Sequence, residues 1–178
     1  MQYLEERKHA FMGDFKIIEP SKISGNAFDL IGRQWMLITA GDKSGFNTMT
    51  ASWGGMGVLW GGPAAFCFVR PQRYTDVFLK KSEFFSLSFY DERYRKALSL
   101  CGSKSGRDCD KVSEAGLTPV FGDGTVYFEQ ARLVLICRKL YAGAIDPERF
   151  VVPDIEKNYP AHDYHNVYIG GIEKALAR

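Results

Sequence analysis

At 178 residues the chain is long enough to bury a substantial core as one domain, residues 1–178, without disulfide or metal staples. Its 23 Lys and Arg stand against 21 Asp and Glu, so a net charge of +2 offers no concentrated basic face for nucleic acid or a membrane surface. Apolar residues at 46% and aromatics at 14% exclude disorder and favour strands.

The opening "MQYLEERKHAF" is charged throughout and lacks the pattern of a signal peptide, and no apolar run approaches the length of a membrane span. Strands are expected from "WMLITAG" (35–41), "TMTASWG" (48–54) and "AAFCFVR" (64–70). A helix follows at "TDVFLKKS" (75–82) with Thr75 as its cap, then the alternating strand "FFSLSFY" (84–90). Further helices are predicted at 91–102, with Asp91 as N-cap and Gly102 as stop, and at 107–116. A long, bent extended stretch covers 125–145, and "HNVYIGGIEKAL" (165–176) ends the chain as a strand. Strands dominate and helices do not alternate with them, which predicts a mainly β, antiparallel barrel with short helical excursions. The four Cys form no Cys-x-x-Cys pair, and Cys67 and Cys137 lie in apolar runs, as expected of a reduced cytoplasmic protein.

Three clusters carry candidate chemistry. The first is Asn47-Thr48-Met49-Thr50-Ala51-Ser52, whose N–H groups and hydroxyls suit an anion or a flat heterocycle. The second is "VRPQRYT", where Arg70 and Arg73 precede Tyr74 and Thr75 at a helix start, a good setting for phosphate. The third is "CGSKSGRDCDK": Gly102, Ser103, Ser105 and Gly106 leave the backbone free to wrap an anion, and Lys104, Arg107 and Lys111 add positive charge. Each alone also fits a polar edge or a solvated turn; the three together in one small domain fit that less well. "GGMGVLWGG" is not Gly-x-Gly-x-x-Gly, so no dinucleotide fingerprint is encoded. His162 and His165 read as a structural or solvent-facing pair rather than metal ligands.

In order and spacing these segments resemble the flavin reductase-like family with its FMN-binding split β-barrel, and within it the flavoredoxin branch. The resemblance is carried by "NTMTASWGGMGVLWG", "CFVRPQRYT", "SFYDERYRKALSLCGSKSGRDCDK", "GLTPVF", "ARLVLICRKLY" and "YHNVYIGGIEKAL", nearly the whole chain. It implies a homodimer with FMN near the subunit interface. Asn47, Met49, Thr50, Ala51 and Ser52 would line the flavin, Arg70, Arg73, Tyr74 and Thr75 would form a second contacting segment, and Ser103, Ser105, Gly106 and Lys111 a third. Trp53 or Tyr74 would cover a ring face. The glycines after Trp53 would let the chain turn and approach closely at a barrel corner. Standalone flavin reductases carry Gly-Asp-His near the C-terminus; this sequence reads Asp163-Tyr164-His165, making His165 the candidate for the nicotinamide-associated role. Two main activities fit the resemblance: an NAD(P)H-dependent flavin reductase, placed first, and a flavoredoxin-type electron carrier served by redox protein partners. A flavin- or haem-binding sensor or storage module stands behind them.

Overall fold

The computed structural model describes residues 14–178, so the charged opening segment lies outside the described residues. Short β1 (Lys16–Ile18) precedes a π-helical turn at Asp29–Arg33. β2 (Met36–Asp42) and β3 (Gly45–Ala51) form a hairpin, its turn fixed by the Asp42 carboxylate, which accepts from the Ser44 N–H and hydroxyl at 2.7 and 2.5 Å. β4 (Gly54–Leu59) and β5 (Gly62–Val69) form a second hairpin. Trp60 and Gly61 make its two-residue turn with φ of 51° and 76°, the left-handed pair that matches strand twist. Helix α1 (Tyr74–Lys81), β6 (Phe84–Phe89), α2 (Arg95–Ser103) and α3 (Lys111–Glu114) follow. A small hairpin of β7 (Pro119–Gly122) and β8 (Thr125–Phe128) leads to the long strands β9 (Leu133–Ala144) and β10 (Asn166–Ala177).

The main sheet runs β3-β2-β6-β9-β10-β5-β4, with β1 added to the far end of β10, and every pairing is antiparallel. Alternation along the strands sorts their side chains into two cores. Ile38 and Ala40 of β2, Leu87 of β6 and Leu135 and Cys137 of β9 fill the barrel interior with Cys67, Val69 and Tyr168. Their neighbours Leu37, Val134 and Ile136 face outward, beneath Leu98 and Cys101 of α2 and Tyr127 and Phe128 of β8. Cys67 and Cys137 are fully buried apolar fillers, and burial pushes the Cys67 thiol up to about 12.

The mainly β antiparallel barrel with helical excursions is what the sequence predicts; several details differ. "GGMGVL" is a strand, not an exit loop, held by its ladder to β5 rather than by β propensity. The 125–145 stretch is two strands, parted where Gln130 turns back to bond the Thr118 N–H and hydroxyl at 2.9 and 3.0 Å. Thr75 caps nothing: α1 begins at Tyr74, and the Thr75 hydroxyl is taken by Asn47. Helix 91–102 divides into a 3-10 turn at Glu92–Tyr94 and α2, and Gly102 lies within α2 rather than beyond it. Helix 107–116 shrinks to α3, capped by the Asp110 side chain on the Ser113 N–H.

Candidate functional site

The two end strands of the sheet, β3 and β4, share no ladder, yet only Ser52 and Trp53 separate them in sequence. Three peptide steps span at most about 11 Å. The sheet must therefore curl until its ends meet, leaving an unpaired seam. At that seam a groove of about 250 Å³ is lined by Met49, Thr50, Ala51, Ser52, Trp53, Phe68, Arg70, Arg73, Gly102 and His165.

The three polar clusters, far apart in sequence, meet beside this groove. Asn47 Nδ2 donates to Thr75 Oγ1 at 2.7 Å, joining the first cluster to the second. Gly106 sits against Asn47 and Tyr74, and Gly102 against Thr50, joining the third to both. Arg107 closes the set: it lies over the Tyr74 ring at 4.7 Å and donates to the Gln72 carbonyl at 3.0 Å. Glycine at 102 and 106 is what permits the approach, because a Cβ at 106 would overlap the Asn47 side chain and one at 102 would press on Thr50 at 3.3 Å.

The cations of the clusters are not alike. Arg70 is engaged: it pairs with Asp163 at 2.5 Å, donates to the Asn158 carbonyl at 2.8 Å and lies over the Tyr159 ring. Arg73 is partly buried and its guanidinium has no side-chain partner among the described residues; burial holds its pKa below the ordinary arginine value. Lys111 is almost wholly buried, with Nζ donating to the Cys101 and Lys104 carbonyls, both at 3.2 Å, and no salt-bridging carboxylate among the described residues. Burial lowers its pKa, the neighbouring Cys101 thiol works the other way, and Arg73 lowers it further.

Some expected residues are occupied within the protein. The Thr50 hydroxyl donates to the Leu98 carbonyl at 2.5 Å, and Ser103 turns its hydroxyl back on the Leu100 carbonyl at 3.3 Å. Ser105 accepts from the Arg107 N–H at 3.2 Å on its hydroxyl and from the Asp108 N–H at 3.1 Å on its carbonyl, while the Ser105 and Gly106 N–H groups have no partner among the described residues.

His165 is buried at the start of β10, its Nδ1 3.0 Å from the Tyr159 hydroxyl and its ring 5.1 Å from that of Trp53. Burial first and Arg70 second lower its pKa, while Asp163 acts in the opposite direction. His162 instead is exposed and contacts Tyr164, so the two histidines do not converge. On the far side of Trp53 and His165 a larger cavity of about 610 Å³ opens between Phe28, Ile31, Met56, Ile145 and Tyr159. It shares Ser52, Trp53, Phe68 and His165 with the first groove, and its walls are mainly apolar. Sequence reasoning missed Phe68 and Tyr159. Only the aromatic density of "NYPAHDYH" pointed toward Tyr159.

The family model described as "Flavin reductase like domain" matches residues 28–175. No curated protein matches the chain. Among solved structures, an FMN-binding domain of a flavin reductases-like enzyme from Shewanella baltica superposes with TM-score 0.67 at 18% identity, covering 92% of this chain and 77% of that one. A flavoredoxin from Methanosarcina acetivorans gives 0.64 at 22% identity over 90% and 76% of the two chains. An NADH:FAD oxidoreductase from Streptomyces globisporus gives 0.61 at 16% identity over 82% and 75%. These likenesses describe the fold.

Proposed function

The chain belongs to the flavin reductase-like domain family, and on that premise we propose that it is an FMN-binding oxidoreductase, an NAD(P)H-dependent flavin reductase working as a homodimer. One observation carries the cofactor: two cations, the partly buried Arg73 and the almost wholly buried Lys111, lie near each other with no salt-bridging carboxylate among the described residues, beside a groove that mixes the hydroxyls of Thr50 and Ser52 with apolar Met49, Trp53 and Phe68. Uncompensated buried charge is costly, and a phosphate with nearly two negative charges is the partner that relieves it. Arg73, Lys111 and the N–H groups around Ser105 and Gly106 would hold that phosphate. Asn47, Met49, Thr50, Ala51 and Ser52 would line the ring and ribityl chain, with Trp53 and Tyr74 beside them. Bound FMN supplies the electron-transfer chemistry, and the protein binds and orients it.

Exchanging Arg73 for Ala should weaken FMN binding about tenfold, on the order of 1.4 kcal/mol. Unchanged affinity in a fluorescence titration removes Arg73 from the site and takes the carrying observation with it. Donor and reaction are tested by anaerobic titration of the FMN-loaded protein with NADH and then NADPH. Rapid bleaching of the flavin band identifies a reductase and its nucleotide.

The second reading, a flavoredoxin-type electron carrier, is favoured by Lys81 and Lys96, exposed and without acidic partners among the described residues. They would suit electrostatic docking of a redox protein. A flavin band that ignores both nucleotides but bleaches with dithionite selects this reading. No helix among the described residues is long and apolar enough to cross a membrane.

A further inference from the structure

The geometry points to Tyr159 as the positioning residue that fixes His165 as a neutral imidazole with its hydrogen on Nε2, so that His165 presents an N–H donor to the groove. Tyr159 is buried, and the only side-chain partner of its hydroxyl among the described residues is His165 Nδ1 at 3.0 Å. A phenol has one hydrogen to give, and turning it away from Nδ1 would leave it without a protein acceptor among the described residues, on a side chain that is itself buried. With Nδ1 accepting, the hydrogen of the neutral ring lies on Nε2, the nitrogen left free on a residue that borders both cavities.

Both rings are held. Tyr159 stacks on Phe150 at 6.0 Å with 16° between planes, and carries the Arg70 guanidinium 5.1 Å from its centroid. Arg70 is in turn fixed by Asp163 and by the Asn158 carbonyl. The backbone carbonyl of His165 accepts from the Ile145 N–H at 2.9 Å, tying the start of β10 to the end of β9. The groups facing the imidazole are thus Arg70, Asp163 and Tyr159. Burial and Arg70 disfavour the imidazolium, Asp163 favours it, and the sum is a lowered pKa. The Tyr159 pKa is raised, chiefly by burial, which keeps its hydroxyl a donor. His165 then acts in the groove as a fixed hydrogen-bond donor toward an oxygen or ring nitrogen of the ligand, not as a proton shuttle.

The first test needs no flavin. Long-range proton–nitrogen correlation on uniformly 15N-labelled protein at about pH 8, above the ordinary histidine range, reads the His165 tautomer directly. A single Nε2–H form with a hydrogen-bonded Nδ1 is expected; an Nδ1–H form overturns the assignment. Tyr159→Phe keeps the ring and its stacking, and should move the Nδ1 resonance to that of an unbonded acceptor; an unmoved resonance overturns it equally. The second test rests on the flavin reading. Tyr159→Phe should weaken FMN binding about threefold, and the double variant with His165→Ala should bind no more weakly than His165→Ala alone. Additive losses, or no loss in His165→Ala, overturn the role at the groove. Failure of the wild type to bind FMN strikes the flavin reading and leaves the tautomer measurement standing.

Discussion

Gly106 lies against the Asn47 side chain so closely that a Cβ on it would overlap the Asn47 oxygen, while the other end of that amide donates to Thr75 at 2.7 Å. A single glycine thus lets the third cluster lock the first to the second. Asn47 is buried and held, so it has no room to yield. Gly106→Ala should cost about 1–3 kcal/mol in urea unfolding and weaken FMN binding in parallel. A variant with unchanged midpoint and affinity would show that the loop, and not Asn47, gives way.

Lys111 and Arg73 are assigned to phosphate alone. Lys111→Met should therefore lower FMN affinity about tenfold yet leave riboflavin, which lacks the phosphate, bound as in the wild type. Equal losses for the two flavins in parallel titrations would place Lys111 under the ring system or in the fold instead.

The buried His165 sets an acid-side dependence. Its folded pKa lies below the unfolded value near 6.5, so between the two the unfolded chain binds more protons. Stability should be complete above about pH 7 and fall as pH drops through the unfolded pKa, levelling off below the folded one. Asp163, whose pKa is lowered first by its Arg70 and then by its Gln72 hydrogen bond, adds its own loss only in the carboxylate range. Denaturant midpoints from pH 8 to 5 should slope in the wild type and flatten in His165→Gln. An equal slope in both would assign the dependence elsewhere.

Neighbouring glycines of β4 should respond oppositely to alanine. At Gly54 a Cβ would meet the Phe66 carbonyl at 2.7 Å and Met36 Cε at 2.9 Å, so Gly54→Ala should destabilise by about 1–3 kcal/mol. At Gly57 nothing lies within 4 Å, and alanine there should be neutral or stabilise by up to about 1 kcal/mol. Equal midpoints for the two variants in urea would contradict the packing.

The polar clusters were legible because hydroxyls, glycines and cations concentrate at fixed places in an otherwise apolar sequence, and the structure brings them together. Phe85, Leu87 and Phe89 alternate with Ser86 and Ser88, so β6 declared itself. β4 did not, because Gly54, Gly55 and Gly57 carry no strand preference and the strand exists only through pairing with β5. Thr75 was misread as a cap because a hydroxyl at a helix start has two uses, and only Asn47, 28 residues earlier, decides between them. Tyr159 stayed hidden because its meaning depends on Arg70 and His165, which the fold, not the sequence order, brings to it.

The seam between β3 and β4 is the one place where the barrel wall of described residues lacks rungs. A molecule lodged where β3 passes into β4 touches Met49 and Ala51 of β3 on one side and Phe68 of β5, the strand that pairs with β4, on the other. The ligand then serves as the missing stave of the barrel. Its occupancy becomes part of the wall's cohesion, and the temperature at which the protein melts should climb with the concentration of free ligand long after the groove is nearly full.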